Sequence, residues 1–184
     1  MATGRILAAA LLAASSIPAT AAVMTVGSNS ARLCYESADS GIYPTPLTLA
    51  RCDAALTEAG TPYRDVVATY VNRGILKLRR GQIEAAIADF DTALRMDPRQ
   101  PEAYLNKGAA LMRQDDARGA LPLFTVALEN HTNRPDIAHF GRAIAYETLG
   151  DVNAAYRDYR RATELAPNWA EARAELSRFR VIPR

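Results

Sequence analysis

His131 and His139 are the two histidines of the chain, and Cys34 and Cys52 are its two cysteines. These side chains are the ones best suited to metal ligation or nucleophilic work, and their surroundings support neither. A three-ligand metal site needs several His, Cys or carboxylate side chains at short, regular separations. His131 stands beside Asn130 and Thr132 in a loop pattern, and His139 stands in a helical one, so they are expected to be a polar loop residue and a packing residue. Asp115-Asp116 reads as a turn followed by a helix cap. The chain carries no phosphate-cradling glycine loop, nucleophile elbow or metalloprotease motif. The expectation is a protein that is not an enzyme, with no metal and no cofactor.

The cysteines suggest a structural use instead. Cys34 and Cys52 are symmetric about Tyr43, in a segment 41–46 that contains two prolines. If that segment is the turn of a helical hairpin, the two thiols face each other across it. An oxidising compartment would join them; two buried free thiols are the alternative.

The other residues with binding chemistry recur. Asn72 and Asn106 are 34 residues apart, and so are Arg79 and Arg113. An asparagine side chain carries both a donor and an acceptor. Positioning them requires a periodic scaffold, and the sequence contains one. Tyr70, Gly74, Ala86, Phe90 and Ala93 return 34 residues later as Tyr104, Gly108, Ala120, Phe124 and Ala127. They return again 35 residues on as Ala143, Ala155, Tyr159 and Ala162, and Pro167 closes that copy as Pro98 closes the first. Within one copy, Tyr70, Gly74, Lys77 and Leu78 share one side of a helix. Gly81 breaks the pattern, and Ala86, Phe90, Ala93 and Leu94 form the apolar stripe of a second helix. A single such hairpin cannot bury its apolar face, but stacked hairpins bury a continuous core.

A repeat of this length built from two helical patterns resembles the tetratricopeptide repeat (TPR) family. The resemblance implies an all-α, right-handed α-solenoid of helix-turn-helix units. It also implies a concave groove lined by the first helix of each unit. Carried onto this chain, the groove would offer Asn72, Ile75 and Arg79 from the first unit, Asn106, Met112 and Arg113 from the second, and Phe140 from the third. The alternative is that the apolar lining packs between repeats and the arginines are simply solvated. TPR proteins that clamp a C-terminal carboxylate spread basic and Asn residues over three repeats. Here the third repeat offers Gly141 and Ile137, so that clamp is incomplete.

Taken in order, residues 1–22 resemble a secretory signal: Arg5, an apolar run from residue 6 to 17, then Ala19-Thr20-Ala21, with cleavage expected after Ala21 or Ala22. The run is shorter than the roughly 20 residues that span a bilayer, so no membrane attachment is expected after cleavage. Residues 23–29 are expected to fray. Residues 23–60 read as a degenerate helical hairpin carrying the cysteines, and residues 61–184 as three TPR units and a C-terminal capping helix. Ser30 or Asn29, Thr45, Thr61 and Asn168 are the expected N-caps. Pro122 is expected to kink its helix or delay its start. The formal charge of +2 over 184 residues is too balanced to suggest nucleic acid or an anionic membrane surface as the partner. The resulting expectation is a periplasmic or secreted interaction module that binds a protein or peptide segment in its groove. The alternative is a structural, self-associating component of a cell-envelope complex.

Overall fold

The computed structural model describes residues 5–8 and 21–182; most of the leader expected at residues 1–22 lies outside the described residues. Nine helices are described: α1 (Asn29–Asp39), α2 (Pro46–Thr57), α3 (Tyr63–Arg79), α4 (Ile83–Met96), α5 (Pro101–Met112), α6 (Ala117–Glu129), α7 (Pro135–Thr148), α8 (Val152–Leu165) and α9 (Ala170–Ser177). Each helix packs on the next. The odd-numbered helices α1, α3, α5 and α7 also contact one another in succession. This is an α-solenoid of antiparallel hairpins. A short antiparallel ribbon joins β1 (Arg5–Ala8) to β2 (Phe179–Ile182), with Arg5 opposite Ile182.

Local chemistry explains most boundaries. The Thr45 side chain accepts from the Thr48 amide ahead of Pro46. Asp116 and Asp151 accept from the Gly119 and Ala154 amides, each satisfying an amide that the first helical turn leaves without a partner. Ser28, not Asn29 or Ser30, caps α1 through the Ala31 amide. Thr61 does not cap α3: its hydroxyl bonds the carbonyls of Ala55 and Glu58, closing the end of α2. With Pro62 at its start, α3 runs for 17 residues and is the longest described helix, as its early start predicts. Pro122 lies inside α6, which nevertheless begins without delay at Ala117.

Four helix ends use one device. The amides of Gly81 and Gln82 bond the carbonyls of Leu78 and Lys77. The pairs Asp115/Asp116, His131/Thr132 and Gly150/Asp151 repeat this pattern. It is the two-bond arrangement that closes a helix through one left-handed residue. Gly81 and Gly150 supply positive φ without a Cβ penalty, whereas Asp115 and His131 adopt φ 59° with one.

The core is a row of rings buried under small residues. Phe90, Phe124 and Tyr159 are essentially inaccessible. A Cβ on Gly108 would lie 2.9 Å from the Phe124 ring, and one on Gly74 would meet Phe90 more closely still. Glycine at these positions lets each ring seat against the facing helix backbone. At the N-terminal end, Cys34 and Cys52 form a disulfide between α1 and α2, with Cα atoms 4.9 Å apart. At the C-terminal end, α9 is shorter than expected and lacks a side-chain cap, so Asn168 does not serve as one. The chain leaves the helix at Ser177 because Phe179 turns back, its ring packing against Tyr156 and Tyr159.

Candidate functional site

Asn72 and Asn106 occupy equivalent positions on α3 and α5, and both are buried. Their repeat spacing places them in line along the inner side of the array. What covers them is the chain itself. Residues 21–27, expected to belong partly to the leader and partly to a frayed end, lie extended against α3 and α5. The Asn72 carbonyl oxygen accepts from the Val23 amide at 2.8 Å, and its amide nitrogen donates to the Val23 carbonyl at 2.8 Å. Asn106 donates to the Ala21 carbonyl at 3.2 Å and to the Glu102 carbonyl at 2.8 Å. Residues 21 and 23 lie on one side of an extended strand, which is why two asparagines one repeat apart engage alternate residues.

A third hold was not foreseen. Asp65 lies seven residues before Asn72, two helical turns away on the same side of α3. It is buried and accepts from the amides of Val26, at 3.2 Å, and Gly27, at 2.6 Å. The signal was present in that spacing, but a carboxylate near the start of a helix reads by default as a favourable partner for the helix dipole. The expectation of fraying is corrected here: a segment without regular structure is held through the main chain of Ala21, Val23, Val26 and Gly27, and side-chain composition does not encode such bonds.

The other predicted groove residues divide. Ile75 is buried in the same apolar cluster as Val71 and Ala22. Met112 is half-buried against the cluster containing Leu105, Ala109 and Ala21. Phe140 lies apart from both, 2% exposed, with its ring centroid 4.5 Å from that of Trp169 and 5.5 Å from that of Tyr159. The terminal cap therefore covers the third unit's ring. Arg113 donates to the Leu78 carbonyl at 2.7 Å, a second bond to a carbonyl at the C-terminal end of α3 that already accepts from the Gly81 amide. Burial pushes the guanidiniums of Arg79 and Arg113 below their ordinary range. Arg113 thus ties two repeats together rather than standing free on a basic surface.

Two further charged clusters are centred within hairpins. Arg73 pairs bidentately with Asp89, which Lys77 also approaches at 2.7 Å. Arg142 pairs with Asp158 in the same way, and His139 joins that pair at 2.9 Å. The separation of 16 residues is shared by both pairs and was legible in the sequence. His139 is thus an ion-cluster residue rather than a simple packing one. Burial alone would raise the Asp158 carboxyl, but hydrogen bonds from His139 and Arg142 and their charge hold it below the usual carboxylate range. Among the described residues no group of three or more His, Cys, Asp or Glu side chains could hold a metal ion.

Known proteins agree with this architecture. Two family models described as tetratricopeptide repeat match residues 71–135 and 137–176, together more than half of the chain. No curated protein matches it. Among solved structures, the first TPR of Spaghetti (RPAP3) bound to the HSP90 peptide SRMEEVD is 25% identical, covering 60% of this chain and 87% of that one, with a TM-score of 0.57. The first TPR domain of human RPAP3 is 27% identical over the same shares, with a TM-score of 0.56. MamA from Desulfovibrio magneticus is 18% identical, covering 81% of this chain and 82% of that one, with a TM-score of 0.62, and supports the fold alone. With its repeat spacing, stacked hairpins and inward-facing asparagines, the chain belongs to the tetratricopeptide repeat family.

Proposed function

We propose that this protein is a non-enzymatic interaction module that grips an extended protein segment along α3 and α5. The observation that carries this reading is the pair of hydrogen bonds between Asn72 and the Val23 main chain. A side chain that engages both the amide and the carbonyl of one residue recognises extended backbone as such. One similar protein is described with a peptide bound to its TPR, which supports the same use here. Asn72 and Asn106 orient the segment. Ile75 and Met112 are the proposed apolar contacts and Arg79 a weak attraction for acidic residues, whereas Phe140 is closed over by Trp169 and Arg113 is bonded to the Leu78 carbonyl. The proposed site of action is the periplasm or the exterior; for Asn106 to hold Ala21 in the exported chain, cleavage falls upstream of the expected position after Ala21 or Ala22. The Cys34–Cys52 disulfide supports that location, and no described helix is long and apolar enough to cross a membrane.

Replacing Asn72 and Asn106 together by Ala should leave the helical signal intact and abolish capture of partners from an envelope extract. The outer-face pair Glu84→Ala and Arg118→Ala, both exposed positions, should capture them as before. Equal capture by the two variants moves binding out of the groove. Self-association is the second reading, favoured by Ile42, Tyr43 and Leu47, which stand exposed together around the α1–α2 turn. A mass that rises with concentration, and does not when Leu47 is changed to Ser, would support it.

A further inference from the structure

We infer that residues 21–27 are a built-in occupant of the groove, and that the partner class displacing them is an extended segment with small side chains at two adjacent positions and glycine five residues later. This rests on the reading of the groove as a peptide site and adds which peptide it takes and what stands in the way.

All three holds on the arm act on main chain: Asn106 on Ala21, Asn72 on Val23, Asp65 on Val26 and Gly27. Hydrogen bonds of this kind are indifferent to side-chain identity. Selectivity enters through space. Ala21 and Ala22 are 1% and 8% exposed and sit in the two apolar clusters beneath them. A larger side chain at either place would overpack a filled site. At Gly27 a Cβ would lie 2.7 Å from the Pro62 ring and 3.1 Å from an Asp65 carboxylate oxygen. Met24 and Val26 point outward, 68% and 79% exposed, and place no demand on a ligand.

The arm also fits imperfectly, which makes it displaceable. The Thr25 hydroxyl is buried with no hydrogen-bond partner among the described residues, and so is the Asn106 side-chain oxygen. A buried polar atom without a partner weakens the state that contains it. Asn72 engages both the amide and the carbonyl of Val23, whereas Asn106 engages only a carbonyl of the arm. An incoming strand that sits on Asn106 as Val23 sits on Asn72 makes one hydrogen bond more than the arm does. If it carries Ala at the Thr25 position, it also leaves no hydroxyl stranded.

The test uses the full chain and a fluorescent peptide of residues 19–28, Ala-Thr-Ala-Ala-Val-Met-Thr-Val-Gly-Ser. Ala21→Asp with Ala22→Asp places two carboxylates where the arm is buried and should expel it. Anisotropy should then show the peptide binding at least tenfold tighter to this variant than to the unsubstituted chain. A peptide with Thr25→Ala should bind the variant more tightly, and one with Gly27→Val at least tenfold more weakly. Equal affinity for the two chains, or binding to neither, overturns the inference. So does an unsubstituted chain that is a dimer dissociated by the two aspartates, since the arm would then act between copies. If the variant does not fold, hydrogen exchange of the unsubstituted chain decides: the Val23, Val26 and Gly27 amides are protected if the arm is seated, and exchange at coil rates overturns it. Partner capture that depends on Asn72 and Asn106 but not on the arm would sink this inference alone. An arm-gated peptide site with no role in partner capture would sink the broader function alone.

Discussion

The hairpins α3–α4 and α5–α6 occupy successive places in one array, yet they are stabilised differently. In the first, Asp89 is buried between Arg73 and Lys77, and the turn residue is Gly81. In the second, Leu123 stands at the position equivalent to Asp89, and Lys107 reaches back to Asp91 of the preceding hairpin at 2.6 Å. Its turn residue is the strained Asp115, its second helix contains Pro122, and its exit bends through His131 instead of the Asp97-Pro98 pattern. The two still superpose as repeats in their apolar features: Gly74 under Phe90, Gly108 under Phe124. Polar and backbone rules can therefore lapse in a unit flanked on both sides, because neighbour packing carries the geometry. The departures should then show as local weakness in the second hairpin and as reliance on ion pairs in the first.

Removing the central carboxylate tests the contrast most severely. Asp89→Ala leaves Lys77 facing Arg73, whose remaining partner is the exposed Asp53, in a largely buried site and should cost about 3 kcal/mol. Lys107→Ala breaks a pair whose carboxylate is 39% exposed and should cost less than about 1 kcal/mol. Denaturant unfolding of both variants checks this, and similar losses would erase the distinction. The third hairpin extends the comparison through pH. Asp158 has its folded pKa depressed, so its contribution is present above the ordinary carboxylate value near 4 and is lost as pH falls through the lower folded value. Asp158→Asn should flatten the acid limb of a melting-temperature profile.

Pro122→Ala comes next. An interior proline is disfavoured by up to about 3 kcal/mol relative to Ala, so the substitution should raise the melting temperature. A fall would mean that α6 has been shaped around the ring. The smallest expected effect is at the turn. Asp115→Gly relieves a left-handed side chain and should gain up to about 1 kcal/mol, whereas Gly81→Ala should lose a similar amount. If neither moves stability, the shared turn geometry is not strained in either hairpin.

The fold was legible because its determinants are periodic and local. Repeated small and aromatic positions, Pro46, Pro101 and Pro135 at helix starts, and glycine at two turns each act within one or two helical turns of themselves. Caps were less legible where two candidates adjoin, as Ser28 and Asn29 do, or where a distant acceptor wins, as the Ala55 carbonyl does over the start of α3. The candidate site was half legible. Asn72 and Asn106 declared their chemistry by type and register, and the Asp89 and Asp158 pairs carry a shared separation of 16 residues from their arginines.

The sequence by itself determined the repeat length, the helical hairpins, the symmetric placement of Cys34 and Cys52 about a turn and the register of the asparagines, since all follow from spacing along one chain. Only the tertiary structure decided what meets those asparagines. Residues 21–27 carry no periodicity and no strong propensity, so nothing local directs them into the groove. They are held by side chains 38 to 85 positions away, and contacts over such distances exist only once the helices have stacked. The same reason governs Phe140: its type predicted an apolar contact, and only the return of the chain at Trp169 determined that the contact is internal.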